Sequence, residues 1–216
     1  MRLLHISDTH GATVPLRTDR IDAIVHSGDL FPNSGSSPTQ RRKHEALWQS
    51  QWILANGERL RTWIGDLPFI YCTGNHDYTT GEQELLDVGI NAVCINDRAL
   101  DLQEHTLYGF PWTPALRGTN WNDKLNTQEM SERISAIPYS TTVLVAHGPI
   151  GGILSLDDQG VEAGCSSLRY TLDYDQLNCN LTAYLHGHIH ESHGVSMYGK
   201  MLVSNAATTQ HVIELR

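Results

Sequence analysis

The sequence predicts an α/β fold, and three observations lead to that class. Short apolar runs of strand length recur along the chain. Stretches of helical spacing lie between some of them, and most runs end in a polar, Gly-containing turn. With 216 residues, 40% of them hydrophobic and 18% charged, the chain is expected to form one domain over residues 1–216 with a substantial core.

Taken in order, Arg2–Ile6 is a strand that leads to "SDTHG", and "DAIVH" is a strand that leads to "SGDLF". Between residues 40 and 64, Leu47, Trp48, Trp52, Ala55, Trp63 and Ile64 suggest an amphipathic helix broken near Asn56-Gly57. Its Trp residues read as core. "FIYC" is a third strand, leading to "TGNHD", and "GEQELLDVG" a short helix. "NTQEMSERISAI" is a further helix, "TTVLVA" a strand ending at "HGPIGG", and "LTAYL" a strand ending at "HGHIH". A hairpin turning at Tyr198-Gly199-Lys200 and a closing strand "HVIEL" complete the pattern. The polar residues cluster after strand ends, the usual ligand rim of an open α/β sheet.

Charge and composition exclude several roles. A net charge of −9 argues against stable binding to long nucleic acid, which rests on phosphate neutralisation by Lys and Arg. The one basic cluster, Arg41-Arg42-Lys43, reads as the solvated start of a helix. No apolar run reaches the roughly 18 residues of a membrane span, and "MRLLHISDTH" lacks the apolar stretch of a signal peptide, so a cytoplasmic chain is expected. Cys72, Cys94, Cys165 and Cys179 show no CxxC spacing and read as reduced, mostly buried thiols. Oligomeric state leaves no mark in the sequence.

The densest chemical signal is "YLHGHIH", with imidazoles at His186, His188 and His190. In extended backbone these side chains would share one side, as a metal site or as a His-rich surface strand. The other turns supply partners: Asp8 and His10, then Asp29, then Asn75, His76 and Asp77, then His147. Each alone has a bland account, since "GD" and "GN" are ordinary turn signals. Metal-competent groups at five successive strand ends point to one shared site.

In this order, "DTH", "GD", "GNHD", the His after an apolar strand, and "GHIH" resemble the calcineurin-like metallophosphoesterases. "LYGFPWTP", "HGPIGGILSLD", Gly164-Cys165 and "IHESHGVSMYGKMLVSNAAT" are similar to the metallophosphoesterase-domain-containing subfamily, which is phosphodiesterase-like. The resemblance implies a four-layer α/β/β/α sandwich with a binuclear metal site at the strand ends. It implies that Asp8, His10, Asp29 and His190 hold one ion, and that Asp29, Asn75, His147 and His188 hold the other. Asp29 then bridges both ions, His76 acts as the acid beside the substrate, and a metal-bridging hydroxide attacks phosphorus. His186 has no ligand role in that pattern.

The physical chemistry suits this assignment. Two dications about 4 Å apart repel by roughly 16 kcal/mol at an effective dielectric of 20, so a shared carboxylate is needed between them. Imidazole, Asp and Asn donors favour transition ions, Mn or Fe first with Zn, Co or Ni also compatible. His26 and His193 lie near the motifs and are candidates to orient ligands, whereas His5, His44, His105 and His211 read as structural. Asp77 either orients His76 or closes its turn. Beyond Asn75 and His76, the substrate contacts suggested are Tyr78, Trp112 and Arg117, with Arg17 and Arg20 weaker.

The function expected is hydrolysis of a small phosphodiester or nucleotide, such as a cyclic nucleotide, with no membrane partner. Rival readings are a phosphomonoesterase, a DNA nuclease, and a scaffold that has lost its chemistry. The protein Ser/Thr phosphatases are disfavoured because "GDLFPNSG" lacks their Asp-Arg-Gly extension.

Overall fold

The computed structural model describes residues 1–17, 19–35, 41–114, 124–174 and 180–216. Its first half runs β1 (Arg2–Ile6), β2 (Ala23–Ser27), α1 (Arg41–Ala55), α2 (Gly57–Ile64), β3 (Phe69–Cys72), α3 (Glu82–Asp87), β4 (Ala92–Cys94), β5 (Ala99–Leu102) and β6 (His105–Phe110). There follow β7 (Thr113–Pro114), β8 (Lys124–Leu125), α4 (Thr127–Ser135), β9 (Val143–Ala146), α5 (Ser166–Tyr174), β10 (Ala183–His186), β11 (Gly194–Tyr198), β12 (Met201–Asn205) and β13 (Gln210–Glu214).

Two mixed sheets form the centre. One has the order β13-β1-β2-β3-β4, the other β11-β12-β10-β9-β6-β5, and β7 pairs with β8. Inner neighbours are parallel, while β13, β11 and β5 join antiparallel at edges. Successive strand residues point to opposite faces, so each sheet splits its apolar residues between two cores. Leu3, Val25, Ile70, Val143, Val145 and Leu185 pack between the sheets. Leu4, Ile24, Phe69 and Tyr71 face Ile53, Leu60, Ile64 and Leu85 of α1–α3. Leu144, Ala146 and Tyr184 face Met130, Ile134, Leu168 and Leu172 of α4 and α5. The result is the α/β/β/α sandwich. Burial on both faces also explains why β2, β3, β9 and β10 are buried throughout.

Several local expectations hold, and others are corrected. The helix of the first half breaks at Asn56, and α4 starts with a reciprocal capping box between Asn126 and Glu129. Cys72 is buried, Cys94 and Cys165 are free, buried thiols, and Cys179 lies outside the described residues. Sequence spacing failed to pick out β4, β5, β6 and α5. β4 has only three residues, β5 is a half-exposed edge strand, and α5 buries only Leu168 and Leu172. The apolar stripe expected for α1 is also wrong in part. Leu47 is 62% exposed and Ala55 is exposed, while Glu45, Gln49 and Ile53 are buried. Partly buried Trp52 and Trp63 do pack against the core beneath α1–α3, as expected.

A polar tie crosses the core between the sheets. His5 Nε2 lies 2.9 Å from Ser27 Oγ on its own sheet, and Nδ1 lies 2.8 Å from Ser204 Oγ on the facing sheet. Ser204 Oγ reaches His211 Nδ1 as well, at 2.9 Å. A buried hydroxyl left without a partner costs about 1–3 kcal/mol. His5→Leu strands Ser27 in this way, so it is expected to lower unfolding free energy by about that amount. Urea denaturation measures the loss, and Ser27→Ala added to His5→Leu is expected to recover part of it.

Candidate metal centre

The five turns after β1, β2, β3, β9 and β10 meet at one rim, laced by backbone hydrogen bonds. Asp8 N donates to Gly28 O, His10 N to Asp29 O, and Gly187 N to His147 O, at 3.0–3.1 Å. Close approach requires glycine along this rim, Gly74 and Gly187 among the points. A Cβ at Gly74 would run into Asp29 Oδ1, and one at Gly187 into Ser7 Oγ and Asp8 Oδ2. Asp8, His10, Asp29 and His188 have positive φ of 54°, 45°, 57° and 72°. Non-Gly residues avoid this region, and strain of this kind clusters at ligand sites.

This backbone aims the carboxylates. Asp8 Oδ2 accepts from His188 N at 2.9 Å, and Asp29 Oδ1 accepts from His76 N at 2.7 Å. Each carboxylate is thereby anchored by one oxygen and turns the other toward imidazoles. Asp8 Oδ1 lies 3.3 Å from His190 Nε2. Asp29 Oδ2 lies 3.8 Å from His10 Nε2 and 3.4 Å from His147 Nε2, standing between the two. Three groups of donor atoms converge: Asp8, His10 and His190; His10, Asp29 and His76; and Asp8, Asp29 and His147.

A second convergence centres on His147 Nε2, which lies 3.0 Å from Asn75 Oδ1 and 3.2 Å from His188 Nδ1. His147 Nδ1 donates to Ser27 O at 2.9 Å, so in the neutral ring Nε2 carries a lone pair. Asn75, Asp29 and His188 thus set acceptors around His147 Nε2, where either a proton or a metal ion supplies the positive charge. Donors held about 2.0–2.2 Å from a common ion at tetrahedral or octahedral angles stand roughly 3.0–3.5 Å apart, matching these spacings. The residues present fit divalent transition ions.

Protonation follows the same geometry. Burial opposes ionisation of Asp8, yet the hydrogen bond with His190 and the charge of His147 hold it down at about 2. Burial opposes ionisation of Asp29 too, but His147 keeps it well below the usual carboxylate range. His147 in turn is raised to about 10 against its own burial, mainly by Asp29. Burial holds His188 and His26 at about 3 and His186 at about 4, so these rings are neutral. A neutral imidazole is the form that binds metal, so His147 would give up its proton to a bound ion.

The structure brings together Asp8, His10, Asp29, Asn75, His76, His147, His188 and His190, all of the ligand and acid candidates. The reason expected for the last histidines is corrected. His186 ends β10, His188 adopts positive φ, and His190 opens a 3-10 turn, so the three do not share one side of a strand. His186 is fully buried, and its Nδ1 donates to Gly187 O at 3.1 Å. His26 braces the rim: Nδ1 accepts from Gly28 N at 3.2 Å, leaving Nε2–H to donate to Thr9 Oγ1 at 3.0 Å. His193 Nδ1 donates to His190 O at 2.9 Å. Asp77 closes its turn and ties it to the next, accepting from Gly74 N, Leu30 N and Phe31 N at 2.9–3.1 Å.

The suggested substrate contacts fare differently. Trp112 donates its indole N–H to Asp97 at 2.9 Å, and the Arg133 guanidinium lies over its ring at 4.4 Å, so it is held as packing. Tyr78 is partly buried, with its backbone N–H bound to Gln49 at 2.7 Å. Arg17 and Arg20 contribute backbone groups, Arg17 N to Gln210 and Arg20 O to Arg2. Arg117 lies outside the described residues. Sequence reading missed the buried polar pair Glu45 and Gln49 of α1, whose i, i+4 spacing is the signal that marks a shared inward face.

Comparison with known proteins agrees with this fold. The family model for calcineurin-like phosphoesterases matches residues 1–192, and the chain belongs to that family. Proteins of this family use divalent metal ions, and the histidine–carboxylate clusters here are candidate sites for them. The chain is similar to human metallophosphoesterase domain-containing protein 1, with 25% identity over 95% of the chain and 65% of the relative. It thus spans just under two thirds of that relative's length. The UPF0046 protein K07C11.7 of Caenorhabditis elegans is 30% identical over 96% of the chain and 69% of its own length. Among the described residues, no helix is long and apolar enough to cross a membrane.

Elemental analysis tests the shared position of Asp29. Asp29→Asn removes the carboxylate between His10 and His147 and is expected to reduce loading of both ions. His186→Ala is expected to leave loading intact. Full loading of the first variant, or loss of an ion from the second, contradicts this arrangement.

Proposed function

We propose that the chain is a binuclear metal phosphodiesterase acting on a small diester such as a cyclic nucleotide. In this reading Asp8, His10, Asp29 and His190 hold one ion, and Asp29, Asn75, His147 and His188 hold the second. The observation that carries it is the place of Asp29 Oδ2 between His10 and His147, where one carboxylate oxygen serves two donor clusters. When bound, two dications neutralise charge on the phosphoryl oxygens and acidify the attacking water. Around them the chain supplies fixed groups. Backbone N–H groups of His76 and His188 lock the two carboxylates, and the Ser27 carbonyl fixes the His147 ring. His76 stands at the edge of the cluster, its ring 5.1 Å from that of His10, and hands a proton to the leaving oxygen.

Charge supports a diester. Among the described ion pairs, Asp8 and Asp29 are matched by His10, His147 and His190, not by Lys or Arg. Two dications against two carboxylates leave about +2 for substrate and nucleophile together, which a monoanion already meets. A dianionic monoester gains no extra cation here. The acidic chain, at −9, also speaks against a long nucleic acid substrate.

Kinetics with Mn²⁺ test this reading. An aryl phosphodiester is expected to show higher kcat/KM than the matching monoester at neutral pH. A clear monoester preference moves the assignment to phosphomonoesterase, and strong salt-dependent cleavage of long DNA moves it to nuclease. No turnover at full metal loading favours the scaffold. His76→Ala is expected to slow a diester with an alkoxide leaving group by about 10²–10⁴-fold. A nitrophenyl diester, whose leaving group needs no proton, is expected to slow far less. Equal losses, or a missing ion, remove the acid role from His76.

A further inference from the structure

Given the role of His76 in phosphoester hydrolysis proposed above, we infer that Asn33 is its positioning residue and dictates which ring nitrogen carries the proton. Asn33 follows Asp29 in the loop after β2. Its Oδ1 lies 2.8 Å from His76 Nδ1, and its Nδ2 lies 3.0 Å from the His76 backbone oxygen. A backbone carbonyl can only accept, so the amide group facing it must be the NH₂. That fixes the amide orientation and leaves Oδ1 facing the ring. An amide oxygen also only accepts, so His76 Nδ1 must bear the hydrogen. The neutral ring then carries its lone pair at Nε2. A proton that passes through His76 therefore enters and leaves at Nε2, while the Nδ1 hydrogen stays on Asn33.

Helix α1 prevents this arrangement from turning over. Buried Gln49 donates to the same His76 oxygen at 2.8 Å and to Pro32 O at 3.1 Å, and it accepts from Tyr78 N at 2.7 Å. One turn earlier, buried Glu45 accepts from Ser34 N at 2.9 Å and Ser34 Oγ at 2.6 Å. The loop is thus gripped on both sides of Asn33, at Pro32 and at Ser34. Asn33 has a fixed seat from which its amide spans the backbone and the ring of one residue.

Nitrogen NMR on the zinc-loaded full-length chain with ¹⁵N-labelled histidine reads the ring directly. The His76 signals are assigned by their absence in His76→Gln. In the unsubstituted protein, His76 is expected to be protonated at Nδ1 and not at Nε2. Asn33→Leu removes both contacts and is expected to give a mixture of the two tautomers. With an alkoxide-leaving diester, its kcat is expected to fall about 10–100-fold while KM and metal content stay unchanged. Asn33→Asp retains an acceptor for Nδ1 and is expected to keep the Nδ1–H form and most of the kcat. Protonation at Nε2 in the unsubstituted protein overturns the inference, whatever the variants do. An unchanged ring in Asn33→Leu overturns it as well. Should the chain hydrolyse no phosphoester, the proposed function fails while the tautomer measurement still decides the role of Asn33.

Discussion

Acceptors gathered around His147 Nε2 are the constraint to which the surrounding structure answers. The Asn75, Asp29 and His188 acceptors would repel and lose their hydration unless a positive charge, the His147 proton or a metal ion, sits among them. The protein accepts that arrangement and holds it rigidly. Each carboxylate gives one oxygen to a backbone N–H of a different turn, and the His147 ring is fixed from behind by a carbonyl. Strained backbone at Asp8, His10, Asp29 and His188 persists because neighbouring turns over-determine it. The two buried sheets supply the rigidity, since strands covered on both faces leave their ends little room to shift.

Histidine is the clearest case of one residue type put to unlike uses within a small volume. His147 and His188 turn nitrogens into the cluster, His26 and His193 brace backbone, and His5 links two serines across the sandwich. Residue identity does not separate these uses. What each ring nitrogen faces does: a carbonyl forces a donor, a backbone N–H forces an acceptor, and the remaining nitrogen inherits the opposite character.

Legibility from sequence follows the same division between local and distant causes. The strands could be read because burial on both faces leaves continuous apolar runs such as "AIVHS" and "VLVA". The turns could be read because their functional side chains sit directly after those runs, and family resemblance then divided the histidines between two ions. Features set by distant backbone stayed hidden. His188 leaves the strand direction because its N–H is drawn to Asp8, 180 positions away. The inward face of α1 is polar because Glu45 and Gln49 serve loop groups, which no apolar periodicity announces. Asn33 meets His76 across 43 positions, and only the fold brings them side by side.

The pairing of the outermost strands has a practical corollary. In the antiparallel register of β13 with β1, Glu214 lies opposite Arg2 and Gln210 opposite Ile6, and the amino terminus donates to Leu215 O at 2.9 Å. Asp8 follows β1 at its far end, so both chain ends sit at the pole of the sheet opposite the rim. A dye, affinity handle or surface tether attached at either end would project away from the clustered imidazoles. An immobilised molecule would then present its rim to solution, open to whatever solute is offered.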